Sequence, residues 1–95
     1  MRPYRHLVLF RFRDDVDADA RAAAYDLVEA SGRALGLLSW RLGWSLDTRK
    51  GAVLVQDAVF ADRAAFEAWR DSAAHRRAGA YLSEVADWLV GDVEG

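Results

Sequence analysis

Two strand-like segments of this chain are apolar on both faces, and this feature limits the possible folds most strongly. Over residues 4–13 and again over 52–60, side chains alternate with the period of two that a strand requires. Both alternating sets of 52–60 are mostly apolar, and in 4–13 the set that carries Leu7 and Leu9 also holds Arg5, Arg11 and Arg13. Helices can cover one face of a sheet built from such strands. The other face is too apolar for open water and needs a partner of its own.

Residue parity separates the two faces. We expect one face to lie under helices; it carries Val8, Phe10, Phe12, Leu54, Ala58 and Phe60. The other face carries Leu7, Leu9, Val53, Val55 and Val59, with Arg11, Arg13, Arg41 and Asp57 among them. Packing this second face against the same face of another copy would bury the aliphatic residues and could pair arginines with Asp57. The sequence therefore predicts a homodimer formed through the face that includes Leu7, Leu9, Val53 and Val55.

Strand-like and helix-like segments follow one another in the order β-α-β-β-α-β, with the second helical region broken in two. This order is typical of an α+β, ferredoxin-like domain, in which helices cover one face of a four-stranded antiparallel sheet. Residues 1–95 are too few for a second domain. The predicted boundaries are strands at 4–13, 37–46 and 52–60, helices at 18–33, 62–71 and 72–87, and a short last strand from 88 to 93.

Composition excludes several classes of protein. The chain has no cysteine, so disulfide scaffolds and thiolate zinc sites are impossible. A formal net charge of −2 argues against nucleic acid as the main partner. The first apolar run, residues 7–10, is too short for a signal peptide or a membrane span. We expect a cytoplasmic protein without a membrane or nucleic-acid partner.

The sequence contains two histidines, and both are predicted to face the layer between sheet and helices. His6 shares its strand face with Val8 and Phe10, and His75 begins the apolar stripe of the last helix. Imidazole exchanges a proton readily near neutral pH, so this pair could polarise a carbonyl and remove a neighbouring proton. The alternative is structural: His6 marks a strand end, and His75 forms hydrogen bonds near a helix start. The residues alone leave both interpretations open.

Large rings opposite an alanine-rich first helix predict a hydrophobic cleft that could take a small molecule. Gln56 is the one polar residue on its apolar strand face and needs a hydrogen-bond partner. We predict no metal site, because the acidic turn at 14–19 lacks the glycine and closing glutamate of a calcium loop. Arg76 and Arg77 fit a solvated helix edge better than a site for an acidic substrate. The candidate substrate-binding residues are Val8, Phe10, Leu27, Trp40, Gln56, Trp69 and Tyr81.

Several segments together resemble one known family. The stretch from His6 to Phe12 is similar to the first-strand signature of the stress-responsive dimeric α/β-barrel (Dabb) family. Residues 51–60 and 62–69 resemble its third strand and short helix. The family's His-Pro-x-His element aligns with Ser72-Ala73-Ala74-His75, and Asp92 matches an acidic residue in its last strand. The resemblance covers about residues 4–94.

The resemblance implies a ferredoxin-like subunit that dimerises sheet to sheet into a barrel. Most such proteins have no assigned activity, but some are cofactor-independent cyclases of linear polyketides with two histidines in the site. These correspond to His6 and His75, whereas Ser72 and Ala73 replace the first His and the Pro of the element. Leu54 stands where some members carry a polar residue, which makes the expected pocket more apolar.

The function expected on this basis is a cofactor-free enzyme of the polyketide cyclase type. His75 would be the general base and His6 would bind the developing oxyanion, with Gln56 or Tyr81 as helpers. The alternative is a non-catalytic ligand-binding or stress-response protein with structural histidines. A haem-degrading monooxygenase, with His75 as the axial ligand, is a further alternative.

Overall fold

Four strands form one antiparallel sheet with three helices packed on it, in a computed structural model that describes residues 2–95. The spatial strand order is β2-β3-β1-β4. The predicted ferredoxin-like βαββαβ fold is confirmed. The elements are β1 (Tyr4–Phe12), α1 (Ala18–Ala30), β2 (Leu37–Trp44), β3 (Val53–Phe60), α2 (Arg63–Arg70), α3 (Ala73–Val85) and β4 (Ala86–Glu94).

The two faces of the sheet differ in burial as residue parity predicts. On β1 and β3, buried residues alternate with more exposed ones along the whole strand. The buried strand set includes Val8, Phe12 and Leu54, which share one core cluster with Val28 of α1 and Leu82 of α3. Burying each such side chain contributes roughly 1.5–3 kcal/mol. A second cluster, formed by Ala58, Phe60, Phe66 and Trp69, fixes α2 over the other end of the sheet.

Polar caps set the first residues of the helices. The Asp17 and Asp62 carboxylates accept hydrogen bonds from the backbone N–H groups of the third residues of α1 and α2, at 2.8 Å in both cases. The Ser72 hydroxyl accepts from the His75 N–H at 3.2 Å. Ser72 therefore caps α3 where the family element has its first histidine, and it places His75 in the first helical turn. None of the three helices is long and apolar enough to cross a membrane, as far as residues 2–95 are concerned.

The boundary between α3 and β4 differs from the prediction. The helix ends at Val85 rather than at residue 87, and β4 runs for 9 residues instead of a short stretch. Ala86 fits the helical stripe, but in the structure it pairs with Phe12 and opens a ladder that extends to the pair Tyr4–Glu94. Pairing along all of β1 satisfies more backbone groups than one further helical turn could, so the tertiary contact decides the boundary.

The first helix is also shorter than predicted, and a close contact follows it. It ends at Ala30, where the Ser31 N–H bonds back to Leu27 and Val28. At Gly32 a Cβ atom would lie 2.4 Å from the Trp40 indole. Only glycine lets this indole approach the chain so closely.

Candidate functional site

A cavity of about 470 Å³ lies between the inner face of the sheet and the helices. Its volume is in the range of small-molecule sites. On the sheet side it is lined by Tyr4, His6, Val8, Phe10, Gln56, Trp88, Val90 and Asp92. The remaining lining comes from the helices and the end of α1: Val28, Ser31, Arg63, Phe66, Arg70, His75, Ala78, Gly79 and Leu82.

The first polar group of the cavity is formed by His6, Asp92 and Tyr4. His6 on β1 lies directly opposite Asp92 on β4, and their Nδ1 and Oδ1 atoms are 2.6 Å apart. The Tyr4 hydroxyl donates to the other carboxylate oxygen, also at 2.6 Å. Because a carboxylate only accepts, Nδ1 carries the hydrogen, and Nε2 is the ring nitrogen left to exchange a proton. Burial raises the pKa of Tyr4, and the bond to Asp92 acts in the same direction, so Tyr4 remains a donor.

His75 is the second polar group. Its imidazole packs against the indole of Trp69, with ring centroids 4.5 Å apart. Burial lowers the pKa of His75, and the nearby His6 acts in the same direction, while the backbone of Arg70 opposes both. His75 is therefore uncharged near neutral pH and can accept a proton.

Trp69 connects the two histidines. The centroid of the His6 ring lies 5.5 Å from that of the Trp69 indole, and the His75 ring contacts the same indole. Trp69 Nε1 donates to the Ser31 carbonyl oxygen at 2.7 Å, and this bond fixes the indole. Phe66 packs against His6 from α2, with ring centroids 4.9 Å apart. One rigid aromatic wall thus holds both imidazoles at the same end of the cavity.

The candidate residues from the sequence divide into two groups. His6, His75, Val8, Phe10 and Gln56 all line the cavity. The other four, Leu27, Trp40, Trp69 and Tyr81, are not among the lining residues.

Each of these four side chains packs elsewhere. Leu27 and Tyr81 pack against the main core cluster, and the Tyr81 hydroxyl lies 3.5 Å from the Ala20 carbonyl oxygen. Trp40 lies over Gly32 and edge-on to Trp69. The cleft is open, because the indoles of Trp40 and Trp69 pack against each other outside its lining.

Sequence reasoning found Asp92 only through the family resemblance and did not place it in the site. Extending β4 in register along β1 would have put Asp92 opposite His6, so strand pairing is the signal that could have found it. Arg76 and Arg77 are exposed on α3, and the arginines beside the cavity are Arg63 and Arg70. Within residues 2–95, no group of three or more His, Cys, Asp or Glu side chains is arranged to hold a metal ion.

A family model described as the stress responsive A/B barrel domain (Dabb) matches residues 4–94. The chain belongs to the Dabb family. No protein with a curated description matches this Dabb chain in sequence.

Solved structures share the fold of the Dabb chain. A dimeric ferredoxin-like protein of unknown function from Thermobifida fusca is 21% identical, with a TM-score of 0.88 over 99% of this chain and 92% of that one. One of the same description from Jannaschia sp. CCS1 is 23% identical, with a TM-score of 0.80 over 98% and 99%. SnoaB, a cofactor-independent oxygenase from Streptomyces nogalater, is 15% identical, with a TM-score of 0.76 over 100% and 94%. At these identities the likeness shows the fold alone.

Proposed function

We propose that this Dabb chain is a cofactor-independent enzyme that transfers a proton on a hydrophobic ketone and so drives a polyketide cyclase type of reaction. The observation that carries the proposal is the pairing of two differently supported histidines in one apolar cavity. His6 is held by a carboxylate, and His75 is kept uncharged by burial. Two titratable groups in contrasting environments are the usual sign of a divided acid–base role.

The proposed reaction begins with His75. Its neutral ring takes a proton from the carbon next to a substrate carbonyl, and the electron pair of the C–H bond moves to the carbonyl oxygen. When Nε2 of His6 carries a proton, Asp92 compensates the ring, and Nε2 donates to the resulting enolate oxygen. The enolate carbon then attacks a second carbonyl of the same molecule and forms a carbon–carbon bond. The new alkoxide takes the proton back from His75, so the reaction is balanced without an oxidant or reductant.

The apolar walls support this chemistry. Phe66 and Val8 are buried and line the cavity around the histidines, and apolar surroundings strengthen the electrostatic interactions there. SnoaB has the same fold and is described as a cofactor-independent oxygenase, which supports a chemistry without a bound cofactor on this scaffold.

We also propose that the chain forms a homodimer through the outer face of its sheet. Leu7 and Leu9 are 37% and 39% exposed, and Leu89 on β4 extends their surface at 71%. On this face, Asp57 Oδ1 lies 3.3 Å from Arg5 Nε of its own chain, but it has no hydrogen-bond partner within residues 2–95. The similar proteins from Thermobifida fusca and Jannaschia are described as dimeric, which favours a second copy as the partner that covers this face.

The lack of cysteine supports our proposal of a reducing compartment, the cytoplasm.

Exchange of hydrogen for deuterium on a methyl ketone tests the proposed function. We would follow the α-hydrogens of 2-acetonaphthone by NMR in D₂O at neutral pH. The protein should accelerate exchange above the buffer rate, and His75→Gln should slow it by about 10²-fold or more, because a general base contributes about 10²–10⁴-fold. Arg77→Gln, an exposed change on the same helix, should leave the rate unchanged.

Two results would contradict the proposal. A His75→Gln rate within twofold of the parent would remove His75 as the base. Binding of the ketone without accelerated exchange would favour the non-catalytic ligand-binding protein. A shift of the Soret band on titration with haem would instead favour the monooxygenase.

A further inference from the structure

Gln56 is a polar residue of the cavity that takes no part in the proposed proton transfer. Gln56 is only 3% exposed, and it lines the cavity from β3. Its Nε2 is buried and has no hydrogen-bond partner within residues 2–95. Buried N–H groups without partners are rare in folded proteins. A bound ligand is the partner that the position of Gln56 makes available.

The strand register places Gln56 beyond the histidines. Val8 of β1 pairs with Gln56 of β3 on one side and with Val90 of β4 on the other. Along β1, Val8 follows His6 by two residues. Two residues of a strand span about 7 Å, so this row lies about that far along the sheet from His6. Gln56 is therefore placed to bind a part of the ligand other than its reacting carbonyl.

The helix above this row leaves room for a ligand. The helix α3 runs alongside β1, because His75 contacts Trp69 near His6, whereas Val85 accepts from the Arg13 N–H at the other end. Gly79 follows His75 by four residues, which is about 6 Å along a helix, and so lies over the row of Gln56. A Cβ atom at Gly79 would meet nothing within 4 Å. Glycine destabilises a helix interior relative to alanine, and no close contact requires it here.

We propose that Gln56, Val8, Val90 and Gly79 form a second binding subsite, the Gln56 subsite. It takes the planar, aromatic part of the substrate, which carries an oxygen that accepts a hydrogen bond from Gln56 Nε2. This inference rests on the proposed function, since the same molecule must reach the histidines. It specifies the substrate class as an aryl ketone or a related compound with a second oxygen away from the reacting carbon.

A rotation of the Gln56 amide makes the bond feasible. The terminal torsion of glutamine is broad and roughly two-fold, so Nε2 and Oε1 can exchange places at low cost. Turning Nε2 toward the ligand leaves Oε1 in the buried position. A buried carbonyl without a partner is tolerated somewhat better than a buried N–H. Binding of the ligand thus gives the N–H group a partner, and only the carbonyl oxygen of Gln56, which tolerates burial better, is without one.

A pair of ligands that differ only at the acceptor tests the subsite. We would titrate the protein with 2-acetyl-6-methoxynaphthalene and with 2-acetyl-6-ethylnaphthalene, in which a CH₂ group replaces the ether oxygen far from the reacting carbonyl. Quenching of tryptophan fluorescence reports binding, because Trp88 lines the cavity. The parent should bind the methoxy compound about tenfold more tightly, the factor of one hydrogen bond of about 1.4 kcal/mol.

Substitutions at Gln56 decide whether that preference comes from its amide. Gln56→Leu should reduce the preference to within twofold, keep the affinity for the ethyl compound and raise Tm, since it removes a buried donor that has no partner. Gln56→Met, which keeps the length of the side chain but has no N–H, should also lose the preference. His6→Gln should keep it. Loss of the preference in His6→Gln, or its retention in Gln56→Leu, overturns the proposal, as does a parent protein that binds neither compound or shows no preference.

Gly79 provides an independent test. Gly79→Ala should raise Tm by a few degrees and lower the affinity for both ligands by a similar factor. Gly79→Val should lower both affinities further. Ser83→Ala, an exposed change on the same helix, should alter neither affinity. Unchanged affinities in Gly79→Val would contradict the subsite. These are binding measurements, so the subsite can fail while deuterium exchange persists, or hold while exchange is absent.

Discussion

Replacing Asp92 by asparagine should separate the charge behind His6 from its geometry. The amide oxygen of the new side chain can still accept from His6 Nδ1, but it no longer compensates an imidazolium. The side chains of His6 and Asp92 are 9% and 25% exposed, so solvent screens the pair only in part. A hydrogen bond to a charged group contributes about 1.5–3 kcal/mol, and each 1.36 kcal/mol changes a rate tenfold. We therefore expect Asp92→Asn to slow deuterium exchange of 2-acetonaphthone by about 10- to 100-fold.

The assay compares Asp92→Asn with the parent and with Asp87→Asn, which makes the same substitution at an exposed position of β4. Near-ultraviolet circular dichroism would check that the aromatic wall around His6 is intact in both variants. Exchange in Asp92→Asn within twofold of the parent, with the wall intact, would refute the role of the carboxylate. Equal slowing in both variants would also refute it, because the loss would then not depend on His6.

Three further predictions concern stability and assembly. Burial lowers the pKa of His75 below its usual 6.5, so the unfolded chain binds more protons below that pH. The His75 contribution to the free energy of unfolding should be complete above pH 6.5 and decline as the pH falls; urea titrations of His75→Gln should lack this decline. Leu9→Asp should convert the proposed dimer to a monomer of 10.6 kDa in sedimentation, and Leu35→Asp should not. Gly32→Ala should destabilise the fold by about 1–3 kcal/mol in thermal melts by overpacking against Trp40.

The arrangement of the sheet could be predicted from sequence because side-chain parity is a local property. The alternation from Tyr4 to Phe12 assigns each residue to a face without knowledge of its partner strand. Capping residues are similarly local: Asp17, Asp62 and Ser72 directly precede the helices that they cap. The two histidines face the cavity for the same reason: one follows strand parity and the other the helical period.

The rest of the site depends on contacts between distant segments. Ala86 and Asp87 suit either a helix or a strand, and only pairing with β1 decides between them. The bond between His6 and Asp92 follows from that pairing, since the two residues are 86 positions apart. Whether the cleft is open depends on Trp40, whose indole lies over Gly32 instead of in the cavity. No local pattern predicts that contact.

The pH dependence of deuterium exchange on 2-acetonaphthone tests the central claim, that an uncharged His75 removes the proton, most directly. Because burial lowers the pKa of His75, the account predicts that the exchange rate stays high at pH 6.5 and falls at a pH below that value as His75 becomes protonated. It also predicts that this fall is absent from the residual rate of His75→Gln. A parent rate that does not exceed the buffer rate at any pH, or the same profile in the parent and in His75→Gln, would contradict the account.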